Sequence, residues 1–295
     1  MTPEPARRSA RIRRDLWIRR VGRAGLRTVP WIVYLFLWLP IVILVLFSFN
    51  DGESVSTWQG FSTRWYRGIV ESGAGSGSFR TELLLASVRN SLLVAGISTV
   101  LATIIGTMFA LSVARGRFPG RRTFDALYYL PVVIPDITQG VSLAVFFRLA
   151  FEAIEALTGV RYVTGFATII IGHVAFNIAY VAIVVRARLA AMDPTLEEAA
   201  QDLGANRWRT FWRVTFPVLA PGILAGGLLA FTLSLDDFVV TFFTSGVGTT
   251  TLPLFVYGLL KQRVPPEINA VSSLMILASI VLVATSLALQ RRGAR

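Results

Sequence analysis

The stretch LEEAAQDLGANRWRTFWRVTFP, Leu196–Pro217, is polar and lies between two long apolar segments of the chain. Just before it, the pair Asp193–Pro194 predicts the start of a helix, because proline fits the first helical position and aspartate can cap free backbone N–H groups. Gly204 predicts that this helix ends in a left-handed turn. Asn206 predicts the cap of a second helix. The sequence therefore predicts a hairpin of two short helices, here named the polar hairpin (residues 193–217).

The surface of the polar hairpin suits contact with another protein. Ala199 and Ala200 are small, so another surface can approach closely, and Glu198 offers a carboxylate to an arginine on that surface. Glu198 also completes an alternative capping box with Thr195. The second helix is expected to place aromatic side chains on one face and arginines on another. These residues are Trp208, Phe211, Trp212, Arg209 and Arg213. The alternative is an ordinary solvated loop with routine helix caps.

The bulk composition is that of a protein that crosses the membrane several times. Of the 295 residues 54% are apolar, and the mean hydropathy is +0.62, which is too apolar for an ordinary soluble domain. The chain has no cysteine and a single histidine, His173, which excludes disulfides, thiolate metal sites and multi-histidine metal chemistry. We therefore expect no catalytic centre and no metal site.

Six apolar segments are long enough to cross the membrane, since a spanning helix needs about 20 apolar residues. They lie at roughly 30–49, 91–114, 124–150, 166–186, 218–243 and 268–289. Pro217 is expected to mark the start of the fifth segment. The predicted fold class is an all-α membrane protein with six transmembrane helices.

The arginines cluster in alternate loops, which sets the expected orientation. They occupy residues 7–27, 115–122, 186–213 and 291–295. The positive-inside bias places both termini and the loop at 187–217 in the cytoplasm. The net charge of +12 therefore reflects membrane orientation, and we expect no nucleic-acid binding. The sequence contains no G-x-x-x-x-G-K-[ST] motif, so ATP binding of that kind is not expected in this chain.

Acidic residues within apolar segments are costly and mark candidate solute pathways. Asp136 lies about 12 residues into the third segment, near mid-depth at helical rise. Pro131 and Pro135 are expected to break that helix, and broken helices line the cavities of many transporters. The alternative is that Asp136 only caps the helix that restarts after Pro135.

Two further groups are candidates for the pathway. Asn177 and Tyr180, in the fourth segment, either line it or form hydrogen bonds that tie helices together, and His173 is expected to be a hydrogen-bonded packing residue. Asp236 and Asp237, near the external end of the fifth segment, form either an anionic collar for a polycation or a hydrated helix end. Because adjacent helical residues point about 100° apart, at most one of these two acids is expected to face a shared cavity.

The order Glu198-Ala199-Ala200, Gly204 and Val214-x-Phe216-Pro217 resembles the cytoplasmic "EAA" loop of ABC importer permeases, with Val214 and Phe216 in place of the usual isoleucine and leucine. Between about residues 30 and 290 the chain is similar to the second permease subunit of spermidine/putrescine ABC importers. The similar stretches are Ser48-Phe49-Asn50, Arg64-Trp65-Tyr66, Asn90-Ser91-Leu92-Leu93, Ser234-Leu235-Asp236-Asp237-Phe238, Phe242-Phe243-Thr244-Ser245-Gly246, Thr251-Leu252-Pro253 and Pro266-Glu267-Ile268-Asn269-Ala270.

This resemblance implies a type I ABC importer permease (MetI-like) fold in the inner membrane. It implies an Arg-rich cytoplasmic segment at 1–29, a transmembrane permease domain at 30–290 with its coupling loop at about 187–217, and a cytoplasmic tail at 291–295. The residues implied in coupling to an ATPase are Glu198, Ala199, Ala200, Gly204, Trp208 and Pro217.

The resemblance also implies a heteromeric machine. Its other parts are a dimeric ABC ATPase, which binds the ATP and Mg²⁺, a second homologous permease, and an extracytoplasmic solute-binding protein that delivers a polyamine. This chain itself holds no cofactor.

Other functions stay open from the residues alone. The same importer class could carry another cargo, such as an opine, an amino-acid-like cation, ferric ion or an anion. A stand-alone channel or proton-coupled carrier would work without an ATPase and would tolerate changes at Glu198 and Gly204. A membrane enzyme would need clustered catalytic groups, which the composition disfavours.

Overall fold

A computed structural model describes residues 4–52, 57–73, 79–116, 119–260, 267–277, 280 and 281. Over these ranges the backbone is helical apart from short connections, and the pairing of Asn50 with Phe61 is an isolated bridge, not part of a strand. The predicted all-α fold class is therefore confirmed. The helices are α1 Glu4–Phe47, α2 Arg64–Gly73, α3 Phe79–Arg115, α4 Arg121–Leu127, α5 Leu130–Val133, α6 Asp136–Thr158, α7 Phe166–Ala190, α8 Thr195–Asp202, α9 Arg207–Thr210, α10 Phe216–Asp236, α11 Val239–Thr244, α12 Leu252–Leu260 and α13 Glu267–Leu277, with a π-helical turn at Phe211–Thr215.

The chain forms two compact units. The first consists of Met1–Val70 and Pro265–Leu287, and the second of Glu71–Val264 and Ala288–Arg295. The polar hairpin and all five candidate pathway residues belong to the second unit, so its helices position the site.

In the first unit, side-chain hydrogen bonds fold back the segment that follows α1. Asn50 is buried, and its Oδ1 accepts the N–H of Gln59 over 2.8 Å. The indole Nε1 of Trp65 donates to the carbonyl of Asn50 over 2.7 Å, and the hydroxyls of Ser48 and Tyr66 lie 2.6 Å apart. The stretches Ser48-Phe49-Asn50 and Arg64-Trp65-Tyr66 therefore both have a structural role.

The core of the second unit lies where α3, α7 and α10 pack together. Small residues allow the backbones to approach closely, as in many membrane helix bundles. A Cβ added at Gly106 would lie 2.9 Å from the carbonyl of Ile178, and one at Gly226 would lie 3.4 Å from Val181. The buried core cluster consists of Ala110, Tyr128, Val181, Ala182, Val185 and Ala230.

Four of the described helical stretches are long and apolar enough to cross a membrane: Gly25–Phe47, Glu82–Arg115, Phe166–Ala190 and Arg207–Asp236. A fifth candidate is the broken pair Arg121–Val133 and Asp136–Thr158, which meet at a bend of 106°. The sixth predicted segment, 268–289, is described only at 267–277, 280 and 281, and the rest lies outside the described residues. The count of six spans therefore stays a prediction.

The predicted break in the third segment is confirmed. Ile134 is extended and Pro135 occupies the cap of α6, so the helix stops and restarts between α5 and α6. The side chain of Gln139 donates to the carbonyls of Pro131 (2.7 Å) and Ile134 (3.0 Å). These bonds satisfy carbonyl groups that the break leaves without helical partners.

Three predicted segment boundaries differ from the ends of the helices. The second segment was expected to begin at 91, but α3 begins at Phe79, because no proline or glycine lies between residues 79 and 91. Pro217 does not begin the fifth segment, because helix continues from Arg207 to Asp236. The π-helical turn just before Pro217 is wider than an α-turn, which accommodates a residue that has no N–H to donate. Helix α10 ends at Asp236, seven residues before the predicted end of the fifth segment at residue 243.

Candidate functional site

The first helix of the polar hairpin stops where predicted and starts one residue later than predicted, with Pro194 at the cap position. The carboxylate of Asp193 accepts the N–H of Thr195 over 2.9 Å, and this bond holds the pKa of Asp193 below its ordinary value. Thr195 is the first helical residue and not the cap, so the alternative capping box is not formed. Gly204 is left-handed, with φ +84°. Its N–H donates to the carbonyl of Gln201 over 2.9 Å, and the N–H of Ala205 donates to the carbonyl of residue 200 over 3.0 Å. These two bonds are a Schellman stop.

The second helix of the polar hairpin is capped as predicted. The side-chain oxygen of Asn206 accepts the N–H of Arg209 over 2.9 Å. Trp212 lies between two aromatic neighbours, with ring centroids 5.7 Å from Trp208 and 5.0 Å from Phe216. The aromatic face is thus continuous with the start of α10.

Most residues that the sequence singled out on the polar hairpin are exposed. Glu198, Ala199, Gly204 and Pro217 are exposed, and Ala200 is half-buried. Large apolar side chains share this surface: Leu203 is 90% exposed and Trp208 is 69% exposed. An exposed carboxylate beside exposed apolar side chains is a surface suited to a partner protein.

Sequence reasoning missed the acid that fastens the polar hairpin to the rest of the unit. Glu197 forms an ion pair with Arg115 at the end of α3 over 2.6 Å, and it accepts a hydrogen bond from the hydroxyl of Thr215. Arg115 also approaches the sulfur of Met192 at 3.9 Å. The neighbouring carboxylates therefore differ: Glu198 faces outward, whereas Glu197 ties α8 to α3 and to the π-helical turn. No local pattern pairs Glu197 with residues so distant in sequence.

A second missed group joins α7 to α4. The guanidinium of Arg186 donates to the carboxylate of Asp125 and, over 2.6 Å, to the hydroxyl of Tyr128. It also lies 5.0 Å from the centroid of the Tyr128 ring. Sequence reasoning used Arg186 only for orientation, so this ion pair was not predicted.

A cavity of about 340 Å³, here named the acidic cavity, opens between α5, α6, α7, α10 and α11. Its walls contain three carboxylates, one amide, one phenol and several apolar side chains. The lining residues are Pro131, Asp136, Gln139, Phe176, Tyr180, Leu233, Asp236, Asp237, Phe238, Val239 and Val240. Four of the five predicted pathway residues thus meet in one place, although they come from separate helices.

Both acids of the pair Asp236 and Asp237 line the acidic cavity, so the expectation that at most one would do so is wrong. The expectation assumed a continuous helix. In the structure α10 ends at Asp236, and Asp237 is extended with φ −63° and ψ 124°. The change in backbone direction turns both side chains toward the same space.

Asp136 and Asn177 differ in their placement. Asp136 is exposed at the first position of α6, where a carboxylate is favoured by the helix dipole. The cap position belongs to Pro135, so the capping alternative does not describe Asp136. Asn177 is fully buried and is not among the lining residues, whereas its neighbour Tyr180 is.

Asp237 is held by a buried polar network. The His173 ring is fully buried, with Nδ1 2.5 Å from the Ser234 hydroxyl and Nε2 3.2 Å from Oδ2 of Asp237. Oδ2 also accepts the N–H and the hydroxyl of Thr241, over 2.8 and 2.9 Å. The Ser234 hydroxyl lies 2.9 Å from that of Ser98 on α3. His173 is a hydrogen-bonded packing residue, as predicted, but its link to a cavity acid was not.

A bundle of apolar helices with a broken span, an acid-lined cavity and a capped polar hairpin defines a membrane transport permease. Residues 102–294 match the family described as binding-protein-dependent transport system inner membrane component, and the chain belongs to this family.

Known relatives extend over most of the chain. The putrescine transport system permease protein PotI of Escherichia coli is 39% identical over 254 residues, which cover 84% of this chain and 86% of PotI. The spermidine/putrescine transport system permease protein PotC of Escherichia coli is 34% identical over 269 residues, covering 91% and 94%.

A solved structure confirms the fold. A chain of a bacterial ABC transporter involved in the import of the acidic polysaccharide alginate superposes with a TM-score of 0.73, at 18% sequence identity, over 94% of this chain and 99% of its own. The predicted MetI-like ABC importer permease fold is therefore present.

Proposed function

We propose that this chain is a membrane-spanning permease subunit of an ATP-driven importer for polyamines. The observation that carries the proposal is the acidic cavity, where Asp136, Asp236 and Asp237 converge beside Tyr180 and Phe238. Carboxylates accept hydrogen bonds from ammonium groups, and aromatic faces attract cations. The similarity to PotI and PotC, whose names state putrescine and spermidine transport, supports the same cargo here.

The polar hairpin is the proposed docking site for the ATPase. Glu198 offers its carboxylate to a cationic side chain of the partner, and the small Ala199 and Ala200 permit close approach. Gly204 allows the sharp reversal that lets α8 project, and Trp208 adds apolar contact. Pro217 belongs to the helix that continues from the hairpin into the membrane, so movement of the hairpin reaches α10.

Each part of the machine has a separate task in this proposal. The ATPase dimer binds ATP and Mg²⁺ and hydrolyses the nucleotide, whereas this chain makes and breaks no covalent bond. ATP binding closes the ATPases, moves the polar hairpin and turns the cavity outward, and hydrolysis resets it. A ligand can drive such a change only if it binds the outward-facing and inward-facing states of the complex with different affinity. In this proposal ATP does so at the ATPase.

The family description, which names binding-protein-dependent transport, supports a solute-binding protein among the remaining partners. A solute-binding protein on the outer side delivers the polyamine, and a second homologous permease completes the pathway. The chain lies in the inner membrane with both termini and the polar hairpin on the cytoplasmic side, because arginines are concentrated there.

Reconstituted uptake tests the proposal. The permease is purified with its ATPase and sister permease, placed in liposomes, and supplied with the solute-binding protein and radiolabelled spermidine or putrescine. We expect uptake that requires both the binding protein and ATP on the hairpin side. Uptake without an ATPase would overturn the importer assignment in favour of a stand-alone carrier.

The cargo is tested separately on the solute-binding protein. Its dissociation constants for spermidine, putrescine, a basic amino acid and sulfate are compared by calorimetry. We expect the polyamines to bind most tightly. A protein that retains spermidine no better than sulfate would overturn the polyamine assignment and leave the importer assignment standing.

A further inference from the structure

We propose that His173 is a positioning residue for the transported cation: it fixes the carboxylate of Asp237 at the wall of the acidic cavity. The inference rests on the proposed function, in which that cavity receives a polyamine. It assigns a task to a fully buried histidine that does not itself line the cavity.

The hydrogen-bond chemistry determines which ring nitrogen faces the acid. Nε2 of His173 lies 3.2 Å from Oδ2 of Asp237 and 3.0 Å from the hydroxyl oxygen of Thr241. A carboxylate only accepts hydrogen bonds, and the Thr241 hydroxyl already donates to the same Oδ2, so the N–H at Nε2 is shared between the carboxylate and that hydroxyl oxygen. On the other side of the ring, Nδ1 lies 2.5 Å from the hydroxyl of Ser234, which can donate to it. The ring is therefore held from both sides, and its orientation is fixed by α10 as well as by α7.

The two oxygens of the Asp237 carboxylate have different environments. Oδ2 accepts three bonds, from His173 and from the N–H and hydroxyl of Thr241. Oδ1 accepts the N–H of Val240 over a longer distance of 3.3 Å. A carboxylate has about four acceptor positions, so Oδ1 keeps capacity for an ammonium group. The protein thus holds one oxygen and leaves the other for a ligand.

The other two cavity acids lack this arrangement. Asp136 and Asp236 are exposed, whereas the side chain of Asp237 is only 10% exposed. A group that is already held in its binding geometry loses less conformational freedom when the ligand arrives. Asp237 is therefore the pre-organised contact of the cavity, and His173 is the side chain that organises it.

Three substitutions of His173 separate positioning from packing. The amide nitrogen of glutamine falls near the position of Nε2, so His173→Gln can still donate to Asp237. The amide nitrogen of asparagine falls near Nδ1, so His173→Asn keeps a polar group toward Ser234 but does not reach Asp237. His173→Leu fills the space and removes both contacts. Ser87→Ala, which removes a buried hydroxyl elsewhere on α3, is the matched control.

Equilibrium binding of radiolabelled spermidine is measured on the complete permease–ATPase complex in nanodiscs, without the solute-binding protein. We expect His173→Leu and His173→Asn to raise the dissociation constant about tenfold, the size of one lost charge-assisted hydrogen bond. His173→Gln should stay within about threefold of the unmodified complex, and Ser87→Ala should not change it. ATP hydrolysis without spermidine should be the same in the Ser87→Ala complex and the unmodified complex.

The outcomes are distinguishable. Equal affinity for all three His173 variants and the unmodified complex would overturn the positioning role. Equal loss in His173→Gln and His173→Asn would also overturn it, since both are polar and only one reaches Asp237. An unmodified complex that binds no spermidine yet imports another solute would instead refute the polyamine assignment, and the positioning role with it. If His173→Leu fails to assemble, the glutamine–asparagine pair still decides.

Discussion

The polar hairpin presents its acid outward on a short, firmly capped helix, whereas the acidic cavity gathers its acids from the ends of separate helices. Glu198 and Leu203 are both exposed, and the helix that carries Glu198 is closed at both ends by local bonds. In the cavity, Asp237 accepts local bonds from Val240 and Thr241 but also depends on His173, which lies 64 residues away on α7. The hairpin is thus built by local sequence and the cavity by packing.

This difference separates the expected effects of substitution. A change on the outer face of the polar hairpin leaves the fold intact and acts on the link to the ATPase. A change in the acidic cavity acts on the solute and, where the residue is buried, on packing as well. Four substitutions test whether the effects on the ATPase link and on the solute are separate, and they are given from the largest expected effect to the smallest.

Charge reversal at Glu198 should have the largest effect. In Glu198→Arg a guanidinium replaces the exposed carboxylate and meets the cationic side chain proposed on the ATPase, and like-charge contact at an interface costs several kcal/mol. We expect uptake to fall about 100-fold while the protein inserts normally. Uptake into vesicles and the amount of membrane-inserted protein are measured together. Glu152→Arg, also an exposed acid, is the control, and normal uptake by Glu198→Arg would contradict docking at this face.

Removal of one cavity charge should have the next effect. Asp136→Asn keeps the shape of the side chain and removes an exposed anion from the cavity wall, so cation uptake should fall about tenfold, with assembly of the complex unchanged. Glu155→Gln, on the same helix but outside the cavity lining, is the matched control. Equal losses of uptake and assembly would assign Asp136 a structural role instead.

The ion pair behind the polar hairpin should have a smaller effect. Glu197→Arg removes the partner of Arg115 and weakens the attachment of α8 to α3. The ratio of solute molecules imported to ATP molecules hydrolysed should therefore fall about threefold. The double variant Glu197→Arg with Arg115→Glu restores opposite charges and should recover most of the ratio. No recovery would show that the Thr215 contact, rather than the ion pair, carries the link.

The cap of α9 should have the smallest effect. Asn206→Ala removes the acceptor for the N–H of Arg209, and loss of such a cap costs about 1 kcal/mol. Amide hydrogen exchange in the first turn of α9 should become about fivefold faster, with uptake nearly unchanged. Asn206→Asp retains the acceptor and should exchange like the unmodified chain. Unchanged exchange in Asn206→Ala would mean that packing, not the cap, holds this turn.

The local features of the polar hairpin could be predicted from the sequence because each depends on neighbouring residues. Asp193, Gly204 and Asn206 act within one or two helical turns, and all three have the predicted roles. The break after Pro131 was equally local. Proline and glycine restrict the backbone wherever they occur, so their effects need no tertiary information.

The acidic cavity could be predicted only in part. Asp136 was chosen for its depth in an apolar segment, Tyr180 as a neighbour of Asn177, and Asp236 and Asp237 as paired acids near a helix end, but nothing in the sequence shows that they meet. Their convergence depends on the bend between α5 and α6 and on the end of α10 at Asp236, which turns Asp237 toward the cavity. Asn177 was expected either to line the pathway or to tie helices together, and it lies buried outside the lining of the cavity. The choice between the two could not be made from the sequence, because helical phase relative to distant neighbours cannot be read from a single segment.

The central claim is that an ATPase grips the polar hairpin, and cysteine cross-linking tests it most directly. The chain contains no cysteine, so Ala199→Cys introduces a single thiol on exposed α8. In inside-out vesicles with the ATPase bound, we expect a short thiol–amine cross-linker to join this chain to the ATPase, and removal of the ATPase to expose the thiol to an impermeant maleimide. A thiol that labels from the outer side of the membrane, or that labels equally with and without the ATPase and never cross-links to it, would contradict the account.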